Sequence, residues 1–390
     1  MKTLKFLAIF CLGALLFAGC EPSGNDDNGG NGGKKSLILV ADKSTVYDNG
    51  IDAATFTLYY DGLILTEGYE IYNGEELIEG NKFSSTVQGS YEFQAAYGTV
   101  LSNTVTINIV ATPPPAPEAP KDNDPSKLNF KRRVLLTQIT GTGCQYCPLM
   151  INAVHQSMTG TYGEDAVLAV AHLYNDNDPA YLYDAQTLDN SLGANGAPYL
   201  FMDLNRNYDT KYSKSVIDQN IQARLDEVAT RGGIAVNSKY YAEEGYIVLN
   251  ATVKAAQTAE FRIGAWLLED GIKATQSNPQ GYVPVEGVDF NTHDDCIRLA
   301  DSKYTQSNYT GYSIGTIETG NTASREFAFK LKTNGKGSAT KWNHDNLKVI
   351  VFISTKEESG VWCVNNVVSC PKDGSVDFEY EDENEDEDEN

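Results

Sequence analysis

The chain has 390 residues and is 41% hydrophobic, so about two to four domains with real cores are expected. Its formal net charge is −23, and ten acids with no base lie between Asp377 and Glu389, leaving −23 less those ten, or −13, for the remainder. Phosphate binding is driven by Lys and Arg, so this balance excludes nucleic acid as a partner.

Lys2 and Lys5 precede an apolar run from Phe6 to Phe17, the pattern of a secretory signal over residues 1–19. No later stretch reaches about eighteen consecutive apolar residues, the length of a spanning helix. Leu16-Phe17-Ala18-Gly19-Cys20 resembles a bacterial lipobox, which implies cleavage before Cys20 and a lipid on that cysteine. The expectation is a lipid-anchored outer-membrane protein on the periplasmic face or the cell surface, where disulfides persist. Residues 20–35, rich in Gly, Asn and Asp, read as a flexible tether. Within it Asn25-Asp26-Asp27 resembles the acidic tag of surface-exported lipoproteins.

Residues 36–111 read as an all-β module. Phe56, Leu58 and Tyr60 alternate with Thr55, Thr57 and Tyr59 before an Asp61-Gly62 turn. Gly89-Ser90-Tyr91 resembles the late strand of an immunoglobulin-like β-sandwich with its corner tyrosine. Residues 112–127 form a Pro-rich linker, extended because successive prolines fix φ. Residues 128–231 read as β-α-β-α-β with a closing helix. Val134–Ile139 and Ala166–Leu173 are apolar runs suited to buried parallel strands, and Asp178-Pro179 is expected to start a helix reaching Leu192. Residues 232–373 return to alternating patterns and predict a second β-sandwich. The acidic residues 374–390 read as a disordered tail. The fold class expected is therefore multidomain α+β.

The chemistry centres on Cys144-Gln145-Tyr146-Cys147-Pro148, between a predicted strand and a predicted helix. A cysteine at a helix N-terminus meets unpaired N–H groups and the helix dipole, both of which favour the thiolate. The export signal and Gly196-Ala197-Pro198 before another strand accompany it. Together these features resemble the thioredoxin-like fold. That resemblance implies Cys144 as the attacking thiol, Cys147 as the resolving thiol and Pro198 as a cis-proline that holds substrate backbone. Three departures stand out. Gln138 occupies the place of a buried carboxylate and cannot take a proton, Gly143 replaces a common Trp, and Gln145-Tyr146 contains no His. More narrowly, Leu136 to Pro148, the strand carrying His172, Gly196-Ala197-Pro198-Tyr199 and His293 to Arg298 resemble a family of exported lipoproteins related to a twenty-eight-kilodalton outer-membrane protein. The likeness runs over 128–366.

His172, at the end of its strand, is a candidate proton shuttle or metal ligand; the alternative is a hydrogen-bonded strand-end histidine. His155 reads as a packing or surface residue. With four His in the chain, no metal or other cofactor is expected at Cys144/Cys147, since a zinc site needs about four ligands. Of the seven cysteines, Cys11 leaves with the signal, Cys20 goes to lipid, and Cys144 pairs with Cys147. Cys296, Cys363 and Cys370 then allow three single pairings, among them a Cys363–Cys370 disulfide closing a short loop. The 23 tyrosines could stack on glycans or form ordinary cross-strand pairs.

Two functions compete. One is a thiol–disulfide oxidoreductase acting through Cys144/Cys147 on exported protein substrates. The other is a non-catalytic surface binding or adhesion protein, with a protein or glycan ligand and a structural Cys144–Cys147 disulfide.

Overall fold

The structure is a computed structural model that describes residues 36–173, 177–209, 212–301, 304, 305, 307–331 and 342–381. The expected signal (1–19), the lipidation residue Cys20, the tether up to residue 35 and residues 382–390 of the acidic tail lie outside the described residues. The chain divides into two compact units, Met1–Thr112 and Pro113–Asn390.

The first unit is built of β1 (Leu37–Ala41), β2 (Thr45–Tyr47), β3 (Ala54–Tyr60), β4 (Leu63–Leu65), β5 (Glu70–Asn73), β6 (Glu76–Leu77), β7 (Lys82–Phe83), β8 (Gly89–Tyr97), β9 (Val100–Leu101) and β10 (Val105–Val110). They form two sheets, β1-β3-β4 with β7 beside β3, and β2-β10-β8-β5-β6 with β9 beside β8. Alternating inward residues such as Leu39, Phe56, Leu58, Phe93 and Ile107 make one core between them. Tyr91 donates its hydroxyl to Val87 O at 3.0 Å.

The second unit begins with β11 (Val134–Thr140), α1 (Cys147–Met158), β12 (Ala166–His172), α2 (Ala185–Leu192), β13 (Tyr199–Met202), β14 (Asn205–Asp209) and α3 (Lys214–Glu227). It continues through β15 (Gly232–Tyr241), β16 (Tyr246–Ala255), β17 (Ala259–Glu269), β18 (Ile272–Lys273), β19 (Thr292–His293), β20 (Cys296–Ala300), β21 (Tyr312–Ile317) and β22 (Thr322–Lys330). It ends with β23 (Leu347–Lys356), β24 (Trp362–Pro371) and β25 (Gly374–Val376).

This corrects the expected fold class. Residues 128–231 do not build a thioredoxin-like α/β domain of their own, and among the described residues strand far outweighs helix, with three α-helices. Their strands enter a nine-stranded sheet in the order β14-β13-β11-β12-β20-β17-β23-β24, with β21 against β17. The join is a short parallel contact in which Val170 of β12 faces Cys296 of β20. An apolar strand buried on both faces satisfies its edge with whichever strand is brought beside it. Here that strand comes from far along the chain.

Both faces of the large sheet are covered. Phe261, Ile263, Val349 and Val351 face Ile234, Val236, Ile247 and Leu249 of a second sheet, β22-β16-β15-β25, closing a β-sandwich. Their neighbours Trp266, Leu268, Ile350 and Phe352 point the other way, into a core with Leu135, Ile139, Ala171 and residues of α2. Gly264 makes this crossing possible, because a Cβ there would lie 2.4 Å from the Phe352 ring. The opposite side of β11 to β13 packs through Val134, Leu136, Leu200 and Met202 on α1 and α3.

Asp203, after β13, ties these layers together. It accepts from Arg132 at 2.6 Å, Arg224 at 2.9 Å and Leu135 N at 3.0 Å, all buried. The Pro-rich segment is laid on the smaller sheet, since Tyr241, Asn250 and Asn237 donate to its Pro115, Pro117 and Glu118 carbonyls. Buried Lys254 then binds Asp122 at 2.6 Å and the carbonyls of Pro125 and Lys127. Residues 374–381 also depart from expectation. β25 pairs with β15, and Phe378 and Tyr380 pack on Phe130, whose apolar ring they shield. No helix among the described residues is long and apolar enough to cross a membrane.

Candidate functional site

β11 is buried along its whole length and delivers the chain to a turn, Gly141–Gly143, from which Cys144 emerges. Cys144 and Cys147 are joined as a disulfide, their Cα atoms 5.4 Å apart. Cys147 opens α1 and is fully buried, whereas Cys144 is half-buried. Pro148 fits the first turn, where its missing N–H costs nothing. That turn carries no acidic residue and no side-chain cap, so the positive end of α1 is left for the cysteine pair.

The loop is held from several directions. Cys144 N donates to Gly141 O at 3.0 Å, and Thr142 N donates to Asp178 at 2.8 Å. A strap of residues 276–285 supplies the rest. Gln276 donates to Cys144 O at 2.8 Å and Gly141 O at 3.2 Å, and Ser277 N donates to Thr142 O at 2.7 Å. Gln280 binds Gln145, and Asn152 of α1 pairs with the backbone of Val283 and Val285. Half-buried Ala197, whose peptide to Pro198 is cis, lines an open depression of about 410 Å³ with Cys144, Tyr146, Leu173 and Ser277. Tyr146 is exposed beside the half-buried Cys144.

His172 is completely buried at the end of β12, and its Nδ1 lies 2.8 Å from Asp178. Burial opposes ionisation of Asp178. The hydrogen bond and charge of His172, with the Thr142 and Ala180 N–H groups, outweigh it and hold that carboxyl well below the usual range. His293, far away in sequence, stands edge-on to His172 with ring centres 4.9 Å apart. Burial first, then the charge of His172, lower His293 to about 4, so its ring is neutral at pH 7, with Nε2 3.2 Å from Ala274 O. Among the described residues no three His, Cys, Asp or Glu side chains gather as a metal site.

Cys363 and Cys370 are not a disulfide, and neither is bonded to Cys296; all three are free and buried. Both lie on β24, and seven extended residues separate their Cα atoms by about 23 Å, beyond the reach of any disulfide. Burial pushes the Cys370 thiol up to about 11, and pushes Cys363 and Cys296 further in the same direction.

Sequence reasoning missed Asp178, Gln276, Ser277 and His293 as parts of one neighbourhood. Asp178-Pro179 does not start α2, which begins at Ala185; its carboxylate serves the loop and His172 instead. The Asp-Pro pair was a visible turn signal, but nothing local marked Gln276.

The profile of the family described as outer membrane protein Omp28 matches residues 185–372, a stretch that begins after the cysteine pair. Among solved structures, HBP35 of Porphyromonas gingivalis is similar at 16% identity and a TM-score of 0.49, over 62% of this chain and 75% of that one. The sporulation control protein Spo0M of Bacillus subtilis aligns at 14% identity and a TM-score of 0.22, over 40% of this chain and 51% of its own. Among curated proteins none matches in sequence.

Proposed function

We propose that this chain is an outer-membrane or cell-surface protein, anchored through lipid on Cys20, that exchanges disulfides with exported proteins through Cys144 and Cys147. The observation that carries this reading is the asymmetry of the pair. One sulfur belongs to a half-buried residue beside an open depression, and the other is sealed at the uncapped start of a helix. The family matched over residues 185–372 supports the outer-membrane part of the reading.

Starting from the disulfide, a partner thiolate attacks Cys144 Sγ, and the Cys144–Cys147 bond breaks with its electron pair on Cys147. The N-terminus of α1 stabilises that leaving thiolate. A second partner thiolate then attacks the partner's own sulfur in the mixed disulfide and releases Cys144. The partner dithiol is oxidised, the pair is reduced, and the two partner protons end on Cys144 and Cys147. The reverse sequence reduces a partner disulfide. Gln138, buried on β11, relays no proton in either direction.

The test is a Cys147→Ser variant of the full chain expressed in its native envelope, with proteins disulfide-linked to Cys144 identified after non-reducing separation. Trapped exported proteins are expected. An empty trap, together with a Cys144 alkylation midpoint in the reduced protein at the ordinary thiol value of about 8.5, refutes the exchange reading and leaves a structural disulfide in a binding protein.

A further inference from the structure

On the side of β11 and β12 that faces α1 lies a cavity of about 390 Å³, closed laterally by the segment that leads into β19. Its volume falls within the range of small-molecule sites. Val154, Met158, Leu168 and Val170 give it apolar wall, and His155 and His293 also line it. The end formed by Gln138, Thr140 and His172 is different. Thr140 and His172 are register partners across the parallel pair, and Gln138 precedes Thr140 by two residues, so the three share one face.

Gln138 Nε2, Thr140 Oγ1 and His172 Nε2 are all buried, and none has a hydrogen-bond partner among the described residues. Their side chains are 3%, 2% and 0% exposed. Native proteins pair nearly all buried polar groups, so three orphans on one cavity wall mark a place built for a polar occupant. Their chemistry is complementary. Gln138 offers an amide N–H. His172 turns its Nδ1 to the acceptor-only Asp178 carboxylate, 2.8 Å away, so in the neutral ring the proton sits on Nδ1 and Nε2 is the acceptor. Thr140 can donate or accept. The occupant must therefore present an acceptor beside a donor. An anion is disfavoured, because Asp289 and Asp294 line the cavity beside Asp295, which pairs with Lys348, and the lining Lys273 is engaged by Asp289.

We propose that this cavity binds a neutral primary carboxamide on a compact apolar body, its carbonyl accepting from Gln138 Nε2 and its N–H donating to His172 Nε2. The assignment does not rest on the disulfide chemistry. It is tested with the full chain, isotope-labelled, titrated with cyclohexanecarboxamide, cyclohexanecarboxylate and methylcyclohexane. The Gln138 side-chain amide and His172 ring nitrogens are followed by NMR. The carboxamide is expected to saturate and shift both groups, with the other two probes at least about tenfold weaker. In Gln138→Leu the carboxamide weakens at least about tenfold while methylcyclohexane does not weaken. No saturable shift with the carboxamide overturns the proposal, as does equal or tighter binding of the carboxylate. Unchanged carboxamide affinity in Gln138→Leu overturns it too, and if that variant does not fold, the ranking of the three probes on the natural chain decides.

Discussion

Replacing Gln276 with Leu tests whether the strap of residues 276–285 sets the stiffness of the disulfide loop. Its amide donates at 2.8 Å and 3.2 Å to the carbonyls of Cys144 and Gly141, from a side chain only 5% exposed. Leu keeps most of the volume and removes both donations. Each carbonyl retains a backbone donor, Cys147 N at 3.4 Å and Cys144 N at 3.0 Å, so neither is left orphaned. The loss is then at most that of two net hydrogen bonds, about 1–3 kcal/mol, because Leu also removes Gln276 Oε1, a buried acceptor without a partner among the described residues. Because the strap and loop can open without unfolding the sheets, most of that loss is expected in local opening, whose equilibrium constant rises severalfold and by at most about 150-fold. Amide hydrogen exchange at Cys144 and Ser277 reads this directly. Exchange at both amides within about twofold of the natural chain, with an unchanged urea midpoint, would refute the bracing role.

Three further outcomes follow from buried charge and burial. His293 is lowered to about 4, so it contributes stability that is fully present above its unfolded value of about 6.5. That contribution is lost as pH falls through this window toward about 4, and it amounts to at most about 3 kcal/mol. Urea midpoints measured across it should fall with pH in the natural chain and flatten in His293→Gln. With the Cys144–Cys147 disulfide intact, Cys296, Cys363 and Cys370 should resist a thiol reagent in the folded protein and react on denaturation; rapid labelling of any of them in native buffer would contradict their burial. Lys254→Met leaves the Asp122 carboxylate and the Pro125 and Lys127 carbonyls without their amine, a loss of about 3 kcal/mol or more. Trypsin should then cut at Lys121 and Lys127 much faster than in the natural chain.

How much of this was legible in the sequence depends on the range of the forces involved. The strand, turn and helix around Cys144–Cys147 follow from local rules: an apolar run, glycines, and a proline in the first helical turn. All three were readable. The sheet was not. Val134–Thr140 and Ala166–His172 look alike whether they end a small domain or continue into a larger one, because burial on both faces writes the same apolar pattern in either case. The deciding contact, Val170 against Cys296, joins residues more than a hundred positions apart, and no periodicity records it. The Cys363–Cys370 pairing failed for a related reason. Short spacing suggested a loop, yet the segment is a straight strand whose apolar residues serve two cores.

The same long-range join changes what the candidate site is. Had residues 128–231 closed on themselves, His172 would face only its own segment, and the cysteine loop would be held by its own turn. Instead β20 docks on β12, which carries His293 to the edge of His172 and brings Gln276 onto the Cys144 carbonyl. The chemistry-bearing residues sit on one part of the chain and the groups that fix their geometry on another. Reduction of the disulfide therefore acts on a loop whose restraints lie outside it. Gln276 and Asp178 grip backbone atoms of Gly141, Thr142 and Cys144, not the sulfurs, so their hydrogen bonds persist when the S–S bond opens. The reduced pair should accordingly keep the loop conformation of the oxidised one. If amide shifts of Gly141 to Cys144 instead collapse to disordered values on reduction, the strap is a passenger of the disulfide rather than its frame.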